Sequence, residues 1–534
     1  MKNRAWLRRN ALDCRCVIAA AGLSACVLPP PAVSEGAVTA QSFGAPNGPP
    51  TVTRLVPLPR KLSEGSGELE LTAGARIVTD TALMSEARGL ASVLRRSTGF
   101  ELPIAAPPAR AGDIELALAE PGALGDEGYR LDVTDRVSVQ AAKSSGAFYG
   151  TMTLRQMFAP QVEALAKQPD VHWRLPRVHI EDTPAYAWRG LTLDVARHFW
   201  PIDDVKRLIL LCAYHKLNRF HLHLSDDQGW RIEIKSWPKL TSVGGKSQVG
   251  GGAGGFFTQE QYKELVAFAD AQHVILIPEL DMPGHVQAAL ASYAELNKDG
   301  RTAPPYSGTD VGFSSLVFDD SDTLRFVDDA VREVAALTSG PYFHLGGDEA
   351  KATKPLDYRA FLEMASGVVH KYQKIVVGWC EAGTVELPRG SLLQHWHAGC
   401  AGSVRGVENG LQLIASPAEH AYLDMKYTAA TGKGQKWAGF VELEQAYAWQ
   451  PALPNVPSSA FVGIESALFT EFVESRDDAD YLLFPRLAGH AELAWSGSVH
   501  NFAEYRLRLA HHGRRLRALG VNFYRSPQVD WEEN

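Results

Sequence analysis

The chain reads as an α/β protein: a (β/α)8 barrel preceded by a small α+β domain. Three observations predict this. After Pro184, short apolar runs at 188–195, 219–224, 274–278, 342–345, 375–377, 392–395, 411–416 and 461–469 alternate with helical periodicity, as a barrel of parallel strands requires. Polar and aromatic residues fall at the C-terminal end of one run after another, the rim on which such barrels carry their functional groups. Before Pro184 the rhythm differs, with strand patterns at 69–71, 76–78, 114–118, 129–133 and 137–140 and helical patterns at 82–97 and 144–157, and no cluster of chemical residues.

At 534 residues the chain exceeds one ordinary core, which agrees with two domains, 51–183 and 184–534. Ahead of them, Lys2, Arg4, Arg8, Arg9 and Arg15 precede an apolar run over 16–28 that is too short to span a bilayer, so residues 1–25 are expected to be an export signal. Leu23-Ser24-Ala25-Cys26 resembles a bacterial lipobox, with cleavage before Cys26 and lipid on its sulfur; an ordinary small-residue cleavage site is the alternative, and Arg8-Arg9 also fits a twin-arginine signal. Residues 26–50, rich in Pro, Ala, Gly and Ser, are expected to be a disordered tether. The expected location is therefore the periplasm or outer membrane of a bacterium, as a lipoprotein, or alternatively the medium. Removal of the basic leader makes the mature protein more acidic than the formal charge of −8, which argues against nucleic acid or an anionic membrane as partner. Past Cys26 only Cys212, Cys380 and Cys400 remain; three scattered thiols form no disulfide framework or zinc site, although one Cys380–Cys400 bridge is compatible with an oxidising compartment.

Taken in order, the barrel pattern opens with strand 188–195, ending near Asp194 and Arg197, and helix 203–217, whose first turn is acidic. Strand two ends in Ser225-Asp226-Asp227. Thr258 and Gln261 form a capping box that opens a helix to about Gln272. Strand three runs into Glu279 to His285, strand four into Asp348-Glu349, strand five into Trp379 and Glu381, and strand six into Trp396. Tyr422 and Asp424 follow strand seven, and Glu471 follows strand eight. Helices over 481–495 and 502–519 close the chain.

An Asp-Glu pair at a turn is ordinarily an exposed acidic corner. Here the strand before it ends in Gly346-Gly347, and adjacent carboxylates converge on one ligand only where a strand has just ended, because neighbouring side chains along a strand point to opposite faces.

The segments 189–199 (RGLTLDVARHF), 221–231 (HLHLSDDQGWR), 279–285 (ELDMPGH) and 344–349 (HLGGDE) resemble the motifs of the family 20 glycoside hydrolases, the β-N-acetylhexosaminidases, and 51–183 resembles that family's non-catalytic N-terminal domain. The resemblance implies exo-acting, retaining removal of terminal GlcNAc or GalNAc, with the substrate's 2-acetamido oxygen attacking the anomeric carbon to give an oxazolinium intermediate. It implies Glu349 as acid and then base, and Asp348 as the group that holds the acetamide N–H. Arg189, Asp424 and Glu471 would bind sugar hydroxyls, and Tyr422 the acetamide carbonyl. Trp379, Trp396, Trp449 and Phe469 would wall the site, Phe469 standing where the family commonly has tryptophan. Asp194, Asp281 and His285 would position the acid pair. No cofactor and no metal are implied. The implied partners are N-acetylhexosamine oligosaccharides or glycoconjugates, with membrane contact expected only through the lipid anchor that the lipobox reading puts on Cys26.

Two other readings are open at this stage. His221-Leu222-His223 at a strand end is also how metal-dependent barrel hydrolases present ligands. A sugar-binding protein on a catalytically weak barrel is the other, against which stands the intact acid pair.

Overall fold

The computed structural model describes residues 54–120, 124–497 and 501–533; the expected leader, Cys26 and tether lie outside them. The first domain is a seven-stranded sheet built from β1 (Lys61–Glu70), β2 (Ile77–Val78), β3 (Ile104–Ala105), β4 (Ile114–Leu118), β5 (Tyr129–Val133), β6 (Val137–Ala141) and β7 (Arg174–Asp182), in the order β1-β7-β5-β6-β4-β2-β3. In β5 and β6 every second residue is buried, the period that one covered face imposes. The covering comes from the helices Met84–Thr98 and Ser144–Met157, the second pressed so closely on the sheet that a side chain on Gly150 would collide with Val139.

Strand β7 is absent from the sequence reading. Its buried Leu175, Val178 and Ile180 are interleaved with Arg174, Arg177 and His179, and Pro176 interrupts the alternation. The proline is accommodated because it pairs with Glu68 where β1 breaks register between Glu64 and Glu68.

The second domain is a closed parallel barrel. Its strands are β8 (Trp188–Asp194), β9 (Arg219–His223), then, beyond a hairpin of β10 (Ser225–Asp226) and β11 (Gly229–Trp230), β12 (Ile275–Glu279), β13 (Tyr342–His344), β14 (Ile375–Trp379), β15 (Leu392–His395), β16 (Gln412–Ala415) and β17 (Phe461–Leu468). Pairing of β17 with β8 closes it. The single helix expected over 481–495 is two, Arg476–Leu483 and Arg486–Ser496, because Pro485 cannot continue an i to i−4 ladder and starts the second helix instead. A disulfide joins Cys380 to Cys400, and Cys212 is a buried free thiol.

The N-terminal end of the barrel sits on the first domain. Asp182, at the end of β7, accepts from Tyr129 Oη (2.7 Å), Trp495 Nε1 (2.9 Å) and Lys216 Nζ (3.1 Å), all buried. That junction occupies one end of the barrel, so the loops at the C-terminal ends of the strands are the ones available to bind a ligand.

Candidate active site

Strand β13 stops at His344, and Gly346 (φ 70°) and Gly347 (φ 96°) then turn the chain in a conformation that disfavours any side chain. A Cβ on Gly346 would also strike the Asp281 carboxylate, whose Oδ1 accepts the Gly347 amide at 3.0 Å. The turn delivers Asp348 and Glu349, the latter at φ 45°, to one place: His285 Nε2 lies 3.7 Å from Asp348 Oδ2 and 3.6 Å from Glu349 Oε2. Asp348 Oδ1 and His285 Nε2 are buried without a hydrogen-bond partner. Asp281 and His285 therefore hold the acid pair, one through the backbone and one through charge.

Behind the pair runs a ladder of buried acids and bases. Glu465 accepts from Trp188 and Thr192, each at 2.6 Å, and contacts His221 Nδ1 at 2.9 Å. Glu279 joins His221 (3.0 Å), His223 (2.5 Å), His344 (3.0 Å) and the Trp379 indole (2.9 Å). Asp226 links His223 (2.8 Å), Arg197 (2.6 Å) and His285 (3.2 Å). Burial works against charge on His285, but Asp226 and then Asp348 outweigh it and lift the ring to about 10. Burial opposes charge on His221 too, and Glu279 and Glu465 raise it to about 9. Asp348 is pushed well above the usual carboxylate range by burial and by Asp281, with His285 opposing. His221 and His223 are thus each held between two carboxylates, while His344 has Glu279 alone and a buried Nε2 without a partner. Of the donor clusters among the described residues that are dense enough to hold a cation, His221, Glu279 and His344 are engaged with one another, and His285, Asp348 and Glu349 are the acid pair and its histidine.

The aromatic wall comes from several loops. Trp379 lies buried at the floor, and Phe469 faces it at 6.2 Å and Tyr422 at 5.3 Å. Trp396 stacks on Tyr422 (6.2 Å, 19°), with its indole N–H donated to Glu381 Oε2 at 3.1 Å. The Cys380–Cys400 bridge brackets this Trp396 segment and begins next to Glu381. Trp437, absent from the sequence reading, stands edge-on to both Trp396 (5.9 Å) and Tyr422 (5.7 Å) and is 54% exposed, which places it at the mouth. Burial and Glu471 raise Asp424, and Glu471 Oε2 is buried and unpartnered.

Three expectations are corrected. Arg189 is not in the site. It is the second residue of β8, at the end of the barrel that meets the first domain, where it makes a two-pronged pair with Glu127 (2.9 and 2.9 Å) and donates to the carbonyls of Lys216 and Tyr186, each at 2.8 Å. Arg197, eight residues further on and past the end of the strand, takes its place: it pairs with Asp226 and stands over the Phe469 ring at 5.4 Å, with Glu471 acting on its charge. Trp449 is core, stacked on His420 (5.5 Å) and edge-on to His490 (5.9 Å), with its N–H on the Ala446 carbonyl. Asp194 positions Arg197 rather than the acid pair: Oδ1 accepts the amides of Ala196 and Arg197, and Oδ2 holds Thr470 after β17. Arg197 was detectable, since it lies in the same motif on the correct side of the strand. Trp437 carried only its membership of a long loop.

The family model of the glycosyl hydrolase family 20 catalytic domain matches residues 186–355 and 350–498, and that of the family's domain 2 matches 52–183. A β-N-acetylhexosaminidase of Cellulomonas fimi is 38% identical over 487 residues, 89% of this chain and 97% of that protein. Among solved structures, the Streptomyces plicatus N-acetyl-β-hexosaminidase in complex with Thio-NAglucal superposes with a TM-score of 0.88 at 46% identity, covering 91% of this chain and 99% of that one. The family 20 β-N-acetylhexosaminidase of Streptomyces coelicolor A3(2) gives 0.87 at 45%, covering 91% and 100%.

Proposed function

The chain belongs to glycosyl hydrolase family 20, and from that premise we propose that it is an exo-acting, retaining β-N-acetylhexosaminidase that releases terminal GlcNAc or GalNAc with the substrate's acetamide as nucleophile. One observation carries the reading: two adjacent carboxylates open into the same space, one of them with a buried oxygen, Asp348 Oδ1, that lacks a partner.

An acetamide N–H fits that oxygen. As the acetamide oxygen attacks the anomeric carbon, positive charge grows on the forming oxazolinium ring, and Asp348, held among Asp281 and other acids, gains most from it at that moment. A Glu349 proton goes to the leaving oxygen. The same carboxylate then takes a proton from the water that opens the ring, and two displacements at one carbon retain its configuration. Tyr422, beside Asp348 and Asp424, donates to the acetamide oxygen, while Arg197, Asp424 and Glu471 supply the polar end that recognises the hydroxyls of a terminal sugar. Trp379, Trp396, Tyr422, Trp437 and Phe469 enclose the acetamide and the ring.

Kinetics of Glu349→Gln and Asp348→Asn on an N-acetylglucosamine disaccharide test this. Each should lower kcat by roughly 10²–10⁴, the range of a lost general acid or lost charge stabilisation, with KM changed far less. Near-normal turnover by Glu349→Gln, or equal rates on glucosides that lack the acetamide, would overturn it.

The leader and the Leu23-Ser24-Ala25-Cys26 sequence support export and lipid anchoring at Cys26. Expressed in a bacterium and labelled with palmitate, the full chain should carry the label and Cys26→Ser should not. Equal labelling of both, or of neither, counts against the anchor.

A further inference from the structure

We propose that the mouth of this site holds a leaving-group subsite for anionic sugars, with Lys351 as the anion-binding group and Phe313 as the platform. The proposal rests on the reading of Glu349 as proton donor, because that role places the leaving oxygen within about 3 Å of a Glu349 carboxyl oxygen. Oε2 faces His285 at 3.6 Å, and Oε1 faces Lys351 Nζ at 3.3 Å. The ammonium thus stands within roughly 6 Å of a leaving oxygen protonated by Oε1, and within roughly 8 Å of one protonated by Oε2. The Lys351 side chain is 67% exposed, so it borders the open side of the site, where the departing portion of the substrate must extend.

The lysine stem packs against a neighbouring loop. The Lys351 amide donates to the Glu349 carbonyl at 2.5 Å across a tight turn. On its other side passes the loop that carries Gly312, where a Cβ would lie 2.8 Å from Lys351 Cδ and 3.0 Å from the Glu349 carbonyl oxygen. The next residue, Phe313, is 42% exposed and propped edge-on by Tyr306 at 4.7 Å, whose hydroxyl accepts the Asp310 amide at 2.8 Å. A braced aromatic face one residue along from the glycine that packs on the lysine stem suits a sugar ring that bears a carboxylate or sulfate.

Among the described residues, Glu349 is the sole carboxylate within 4.0 Å of Lys351 Nζ. A neutral leaving group leaves the ammonium competing for the oxygen that must reach the scissile bond. An anionic one draws the ammonium to itself and frees that oxygen, so the same lysine both binds the acidic sugar and stops obstructing the acid.

The test compares kcat/KM for GlcNAc β-linked to glucuronic acid and to its uronamide, and in a second arm to glucose 6-sulfate and to glucose, with the full-length enzyme. Wild type should favour at least one anionic member by about three- to fivefold at low ionic strength, as for a partly exposed ion pair, falling towards unity in 0.5 M salt. Lys351→Gln should abolish the preference and Lys351→Arg keep it. The carboxylate and sulfate arms show which group is taken. Equal or reversed preference in wild type in both arms, or an unchanged ratio in Lys351→Gln, would overturn the subsite. Failure of the proton-donor reading would show separately, as full turnover of the neutral disaccharides by Glu349→Gln.

Discussion

Two buried arginines eight residues apart should fail in opposite ways. Arg189→Met removes the two-pronged pair with Glu127 and the donors to the Lys216 and Tyr186 carbonyls, far from the acids; Arg197→Met removes the buried cation between Asp226 and Asp194 inside the site. Breaking a buried pair from one side costs about 3–5 kcal/mol. Glu127 is 24% exposed at its side chain and keeps Asn218, so Arg189→Met belongs near the lower figure. Asp226 keeps His223 and His285, which holds the stability cost of Arg197→Met to a similar size. The kinetics separate them. Arg197 would give a sugar two charge-assisted hydrogen bonds of about 1.5–3 kcal/mol each, so its loss should lower kcat/KM by roughly 10²–10⁴. Arg189→Met should change kcat/KM per folded molecule by less than about threefold. Denaturation midpoints measure the first quantity, and initial rates normalised to the folded fraction by circular dichroism measure the second. Equal catalytic losses in the two variants would refute the assignment of Arg197 to the substrate.

Reduction of the Cys380–Cys400 bridge, or its replacement by serines, should destabilise the protein by about 3 kcal/mol through the freed loop and raise KM, because the loop carries Trp396 and its partner Glu381; an unchanged KM in folded double variant would separate the bridge from the wall. With His285 raised from its ordinary value to about 10, its ionic contacts contribute stability that is complete below about pH 6.5 and lost as pH climbs towards 10, by at most about 5 kcal/mol; His285→Gln should flatten that alkaline decline in denaturation measurements, and a parallel decline would rule out His285 as its source. Phe469→Trp should enlarge the wall between Tyr422 and Trp379 and lower the ratio of kcat/KM for N-propionyl over N-acetyl substrates by two- to threefold; an unchanged ratio would mean that Phe469 does not bound the acyl pocket.

Much of this arrangement is legible in the chain itself. Alternating apolar runs and helical stretches specify strands and helices through their periods of two and 3.6, and eight such units leave a closed barrel as the way to bury every strand. The Gly346-Gly347 turn before Asp348 and Glu349 is equally local: neighbours on a chain that has just left its strand can share a face, and only backbone at positive φ provides the bend. Tertiary structure decided the partners. Arg189 and Arg197 have the same chemistry, and the first goes to Glu127 because the loop before β5 docks against the start of β8, a contact between segments 62 residues apart. Trp437 and Trp449 differ no more by type, yet one lines the mouth and the other fills a gap against His420 and His490, since a loop side chain goes where distant elements leave space. Periodicity acts along the chain and is written in it; the meeting of remote loops depends on packing of the whole barrel, and that exists only once it has closed.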